Sequence, residues 1–429
     1  MESVYGMVAG IDVHKKTVVV VVLQSVQPDQ DHASGIFGTT RLGLQELVAF
    51  LREHGVTYVA MESTAQYWRP VWDTLEREWQ PTRRARVDRG ATSGALHLAQ
   101  AQSNNGPRGR KQDFPDAERL VKRLVAHELT LSFVPERTQR LWRTVTRRKY
   151  QVTCNRVQLR NRLECLLEEM HIKISSLVAD LLGPSARRML RAVADGHTNP
   201  ATVAALGSPR LHATPDQLGD ALGPCTDLDP VYRRLLAMFL DEWEMIEAQT
   251  RHLDEELAQL LRVHQDAVER LAAVPGLGVD SAQQIIAEVG PTAATFATAK
   301  RLASWVGACP GHDESAGVNH SHRSPNGNRQ MRRLLNQAAH AAVKTKGSIF
   351  ELLYRRFVVR LGHAQAIGAI AHRICRLVWK ILHDGVMYEE RGPAVTKART
   401  QRRAAKMIRE LRSLGYRVEP GLAPAKALA

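Results

Sequence analysis

The chain has 429 residues, enough for two or three domains with cores of their own. With 59 Lys and Arg against 44 Asp and Glu it carries a formal net charge of +15, which draws polyanions and points toward nucleic acid, although a basic enzyme without such a partner has the same balance. The five cysteines are scattered with no Cys-x-x-Cys pair, which argues against a zinc ribbon or a secreted disulfide scaffold and for reduced thiols in a cytoplasmic setting; no signal-peptide pattern or membrane-length apolar run is present.

Residues 1–130 read as α/β. Met7 to Val13 and Thr17 to Leu23 are apolar and β-branched around the polar turn His14-Lys15-Lys16, a hairpin pattern. Leu42 to His54 has helical apolar spacing, Tyr58 to Met61 is strand-like, and Tyr67 to Trp79 and Asp116 to Glu128 predict helices. Thr82 to Gly94 has no clear period. Residues 131–265 predict a helical, coiled-coil-like arm. Phe239, Trp243, Ile246, Thr250, Leu253, Leu257 and Leu260 form a heptad seam. Leu141, Val145, Arg148, Val152, Asn155, Leu159, Leu163, Leu166 and Met170 form a less regular one. Such helices pair within one chain or across a dimer, and the spacing does not choose. A Gly/Pro-rich connector, Leu206 to Pro230, separates them. Residues 266–385 predict a compact, mostly helical region with one irregular loop. Residues 386–429 are a basic tail with Lys397, Arg399, Arg402, Arg403, Lys406, Arg409 and Arg412, whose plain reading is a solvated helix or a disordered end.

Four carboxylates stand where chemistry could use them. Asp12 interrupts an apolar strand, a costly place unless it is paired, hydrogen-bonded or bound to a cation. Glu62 ends another strand, where sites collect in α/β sheets. Asp113 and Asp116 are three apart at a helix start, hence on one face. Four hard oxygen ligands can hold Mg²⁺ for phosphoryl transfer. Plainer roles stay open: Asp113 as a helix cap, Glu62 as the partner of an Arg.

In the C-terminal region, Pro275-Gly276-Leu277-Gly278 makes a tight turn before a helix. It is similar to a helix-hairpin-helix, whose glycines and N-terminal amides can approach a phosphate, or it is an ordinary turn between packed helices. Beyond it runs the polar loop Glu314-Ser315-Ala316-Gly317, with Arg323, then Asn328, Arg329, Arg332 and Arg333. Those arginines could clamp phosphate oxygens. Ser315 alone reads as a loop hydrogen-bonder or a nucleophile lacking an evident base, and Ser321 and Ser324 are nearby. His312, His320 and His322 lack zinc-ligand spacing and read as surface or phosphate-contacting residues.

Gly-Ile-Asp12-Val-His-Lys, Met-Glu62-Ser-Thr-x-x-Tyr-Trp and Gly-Arg-Lys-x-Asp113-x-x-Asp116-Ala resemble the DEDD signature of insertion-sequence 110 family transposases. Gln112 stands where that family usually has Thr or Ser, and Phe114-Pro115 is unusual there. Glu314-Ser315-Ala316-Gly317 with the later Gly-Asn and Leu-Arg-Arg-like run resembles the same family's C-terminal domain. The resemblance covers about residues 7–385. It implies an RNase-H-like (RuvC-like) N-terminal domain and a composite active site. Asp12, Glu62, Asp113 and Asp116 would hold Mg²⁺, and Ser315 would become covalently joined to DNA phosphate. Double-stranded DNA, a guide (bridge) RNA and a homodimer or homotetramer would be the partners, with no membrane. The alternatives are a RuvC-like nuclease or junction resolvase that uses water, and a non-catalytic nucleic-acid-binding relative.

Overall fold

The computed structural model describes residues 6–24, 27–63, 65–79, 95–100, 113–309, 314–315, 318–319 and 324–413. Thr82 to Gly94, His312, His320, Ser321, His322, Arg323 and the tail beyond 413 lie outside them. The chain divides into two compact units, Met1–Arg137 and Thr138–Ala429.

The first unit is built on a mixed six-stranded sheet in the order β3-β2-β1-β4-β5-β6. The expected hairpin is β1 (Met7–Val13) and β2 (Thr17–Gln24), extended by β3 (Gln27–Gly38). Helix α1 (Arg41–Glu53) follows, starting on a Thr40 side-chain cap. Then come β4 (Val56–Ser63), α2 (Trp68–Thr74) with a π turn over Leu75–Trp79, β5 (Ala95–Ala99), α3 (Asp113–Val125) and β6 (Leu131–Ser132). β1 and β2 are buried on both faces because each face is covered. Ala9, Ile11 and Val13 pack with Leu47 and Leu51 of α1 and Val71 of α2. Val8, Val21 and Ala60 pack with Ala117, Leu120 and Val121 of α3. The period-two alternation of a strand therefore puts Val8, Gly10 and Asp12 on the α3 side.

In the second unit, α4 (Arg137–Glu169) and α8 (Pro230–Leu260) are the long helices, about 50 and 46 Å at the α-helical rise. They pair antiparallel within the chain. Arg156 faces Glu247 at 3.4 Å, Arg148 donates to Gln249 at 3.3 Å, and Lys149 contacts Asp254. Lys149 also reaches Asp280; burial lowers its pKa, but the two carboxylates outweigh that and raise it. The α8 seam is as expected, with Trp243, Ile246 and Leu257 buried. The α4 seam is corrected in its first half. Leu141 is 51% exposed, whereas Trp142 and Thr146 are buried.

Residues 206–230 are not a mere connector. Between the long helices lie α5 (Pro184–Ala194), α6 (Pro200–Ala204) and α7 (Pro215–Leu222). Each begins with a proline, and so does α8. Asn199, Thr214 and Asp229 cap α6, α7 and α8 by accepting backbone N–H bonds, so these prolines open helices instead of breaking them. These helices share one core with the distal half of α4 and the proximal half of α8. A second core joins α9 (Gln265–Ala272), α10 (Val279–Val289), α11 (Ala299–Val306), α12 (Arg329–Ala342) and α13 (Ile349–Asp384). β7 (Glu314–Ser315) and β8 (Val318–Asn319) form a small ribbon between α11 and α12. α13 kinks at Gly362, whose φ of 75° suits glycine. The basic stretch forms helix α14 (Gly392–Ser413). Among the described residues no helix is long and apolar enough to cross a membrane.

Candidate active site

The site in the first unit follows from one glycine. α3 lies so close to β1 that a Cβ on Gly10 would overlap the Ala117 carbonyl oxygen and stand 2.9 Å from Val121 Cγ2. Asp12 is the next residue along β1 on that same face. Asp113 precedes Ala117 by one helical turn, so the contact that fixes Ala117 over Gly10 carries Asp113 over Asp12. The β1–β4 pairing is parallel and places Asp12 opposite Glu62, which puts both on the face covered by α3.

Asp12 is buried, with 8% of its surface exposed. His14 Nε2 lies 3.2 Å from Asp12 Oδ2 and 3.3 Å from Asp113 Oδ1. One ligand atom from each of Asp12, His14 and Asp113 falls within 4.8 Å of the others. Two hard carboxylate oxygens and an imidazole nitrogen fit a divalent cation. Glu62 is half-buried beside this cluster without being a member of it. Asp116 also stands outside it, held by Arg119 at 2.8 Å. In the sequence His14 stands in the turn after β1 and in the Gly-Ile-Asp-Val-His-Lys string, where nothing assigns it a ligand role. Its signal was present in the i, i+2 spacing from Asp12, which puts both on one face of an extended chain.

In the second unit, Ser315 pairs with Val318 across β7 and β8. The base of this loop is locked. Gly307 ends α11 at φ 72°, and Gly327 packs on the backbone of Val306 and Gly307. The Asn328 amide N–H donates to the Trp305 carbonyl at 3.0 Å. Its side-chain oxygen caps α12 by accepting from the Met331 N–H at 3.0 Å, and its Nδ2 donates to Glu288 Oε2 at 2.9 Å. Glu288, buried on α10, also receives Arg147 at 3.0 and 3.1 Å and faces Arg143 at 3.4 Å. Gln139 and Arg143 donate to the Ala287 carbonyl, each at 3.1 Å. That anchorage turns Gln139, Trp142 and Thr146 inward, which is why the α4 seam slips. Glu288 was not singled out in the sequence, although a lone acid in the apolar run Ile285-Ile286-Ala287-Glu288-Val289 was a visible signal.

Most residues expected at a nucleic-acid interface have partners within this unit. Asn328 is the cap just described. Arg332 donates to the Pro325 carbonyl at 3.2 Å, while Arg333 donates to Gln284 at 2.9 Å and stacks 3.8 Å over Tyr150. Arg329 is exposed on the first turn of α12. Gly276 has φ 85°, and its missing side chain is taken up by close packing on Ala338 and Ala342 of α12, a sufficient reason for glycine without a phosphate. Gly278 has open space around it at the start of α10. Gly276→Ala should therefore lower stability by about 2–4 kcal/mol through strain and overlap, and Gly278→Ala by under about 1. Urea unfolding of the full chain checks both.

Comparison with known proteins places these features. Residues 9–172 match the DEDD transposase domain of IS110, and residues 268–355 match the transposase IS116/IS110/IS902 family. The chain belongs to this transposase family. A protein of insertion element IS110 from Streptomyces coelicolor is 30% identical over 150 residues, covering 35% of this chain and 36% of that protein. A protein of insertion element IS900 from Mycobacterium paratuberculosis is 28% identical over 167 residues, covering 38% and 40%. A protein of insertion element IS116 from Streptomyces clavuligerus is 27% identical over 146 residues, covering 34% and 36%. Each match thus spans well under half of the relative's length. All four acids of the DEDD pattern lie inside the first family match. Glu288, Ser315 and Asn328 lie inside the second, and α14 lies beyond both.

Proposed function

We propose that this chain is an insertion-element transposase that cuts and rejoins DNA strands through a phosphoserine link on Ser315. The carrying observation is the convergence of Asp12, His14 and Asp113 beneath α3, with Glu62 in register with Asp12. The sheet order, with antiparallel β3-β2-β1 followed by parallel β4 and β5, supports an RNase-H-like reading of residues 1–130. Residues 131–265 are assigned as the arm, 266–385 as the serine domain and 386–429 as the tail. Asp12, Glu62, Asp113 and Asp116 are assigned to Mg²⁺, with Asp116 released from Arg119. When bound, Mg²⁺ supplies charge neutralisation at the phosphate and acidifies a hydroxyl.

The serine oxygen forms a bond to phosphorus as one sugar oxygen departs and takes up a proton. A sugar hydroxyl from another strand later displaces the serine oxygen, which regains its proton. The phosphodiester count is conserved, so no external energy source is needed. Guidance by a bridge RNA, assembly as a dimer or tetramer and work at the nucleoid belong to the same reading, which the +15 charge supports.

The test incubates the full chain, its co-purifying RNA and end-labelled element DNA with Mg²⁺, then denatures. A protein–DNA adduct is expected, lost in Ser315→Ala. Asp12→Asn should lower cleavage about 10³-fold or more. Cleavage by Ser315→Ala at the wild-type rate would instead establish hydrolysis by water.

A further inference from the structure

We infer that helix α14 is an accessory grip on duplex DNA, contacting phosphates along its basic face; this rests on DNA being the substrate. The helix has seven basic residues and one acid, Glu410. At 100° per residue, positions 399, 402, 403, 406 and 409 fall on one face, spanning about 15 Å of helix, with Glu410 the single acid on that face, beside Arg409 at its C-terminal end. Arg402, Lys406 and Arg409 are exposed. Ala404, Met407, Ile408 and Leu411 occupy the opposite side.

The root of the helix is fixed, so this face projects from a defined place. Glu390 Oε1 accepts from the Ile349 N–H at 2.9 Å and the Gly392 N–H at 2.7 Å, tying the start of α14 to the start of α13. Tyr388 Oη donates to Glu390 Oε2 at 2.7 Å.

The chemistry selects among polyanions. A B-form major groove admits an α-helix, whereas the major groove of duplex RNA is too deep and narrow. Single strands are held largely by stacking on aromatic rings, and α14 contains none. A membrane-surface helix ordinarily carries Trp, Phe or Leu on its apolar side, and α14 has no aromatic residue there and a single leucine, Leu411. The contact is to phosphates, so it adds affinity without choosing sequence.

The experiment titrates full-length protein against a labelled random-sequence DNA duplex over a salt series, comparing wild type with Arg402→Ala/Lys406→Ala/Arg409→Ala. Loss of three phosphate contacts should lower affinity about tenfold or more near 0.1 M salt and reduce the slope of log affinity against log salt by about 2.7. Arg402→Lys/Arg409→Lys, which keeps the charge, should bind as wild type does, and the triple variant should melt at the wild-type temperature. If wild type binds the duplex and the triple variant matches it in affinity and slope, the inference is wrong. So it is if the loss appears only with duplex RNA or phosphatidylserine vesicles. If wild type does not bind duplex DNA at all, the underlying reading fails instead.

Discussion

Gly10→Ala is expected to abolish the cation-dependent rise in melting temperature of the protein. A methyl group there overlaps the Ala117 carbonyl oxygen, which belongs to backbone and cannot rotate away. Helix α3 must therefore shift outward, and Asp113 moves with it because it begins the same helix. The three ligand atoms of Asp12, His14 and Asp113, now within 4.8 Å of one another, then separate. Overpacking of this kind lowers stability by about 1–3 kcal/mol, so the unit should still fold. A bound ion stabilises the folded state in proportion to the logarithm of its concentration over its dissociation constant. Wild type should thus melt higher as Mg²⁺ or Mn²⁺ is added and fall back with chelator, while Gly10→Ala should show no response. Adding Val121→Ala removes the side-chain clash at 2.9 Å but leaves the carbonyl, so it should not restore the response. An unchanged cation response in Gly10→Ala would mean that close approach of α3 does not build the site.

How much of this was legible in the sequence depends on range. Elements with a strong local period, such as β1, β2, α1 and α8, stand close to where their patterns put them. Asp12 was legible because a charge inside an apolar strand demands a reason. β3 was not, since Gln27–Gly38 is mostly polar and becomes a strand by pairing with β2 at the sheet edge. β5 and β6 were too short to show a period. α3 begins at Asp113, three residues before the expected start, because Pro115 fits the first turn and lets the helix run through Phe114-Pro115. The cluster itself needed tertiary information. Nothing local says that Gly10 admits a helix backbone, or that His14 will point at both Asp12 and Asp113. In the second unit, the Gly/Pro-rich stretch between 206 and 230 suggested a break, but Pro215 and Pro230 open α7 and α8 there. Four residues proposed for nucleic acid, Gly276, Asn328, Arg332 and Arg333, also have structural partners on α4, α10, α11, α12 and the loop base, which no local pattern announces.

Asn328→Asp should destabilise the second unit by about 1–3 kcal/mol, even though Asp caps helices as well as Asn does. The Asn328 Nδ2 group donates to Glu288 Oε2 at 2.9 Å. Aspartate would set a second carboxylate in that place, turning a hydrogen bond into a like-charge contact beside a buried acid. Asn328→Ser keeps a capping oxygen without adding charge and should be milder. Glu288→Ala should be the most severe, about 3–5 kcal/mol, because Arg143, only 13% exposed, loses its counter-charge together with Arg147. The double change Glu288→Gln/Asn328→Asp exchanges donor and acceptor across the same contact and should recover much of the loss from Asn328→Asp alone. Urea unfolding of the four variants ranks them. The serine loop adds a second readout, since Asn328 fixes the backbone where that loop rejoins α12. Adduct formation per folded molecule should fall in Asn328→Asp and recover in the double variant. Equal stability of Asn328→Asp and wild type would reduce Asn328 to an ordinary cap and leave Glu288 no part in holding Ser315.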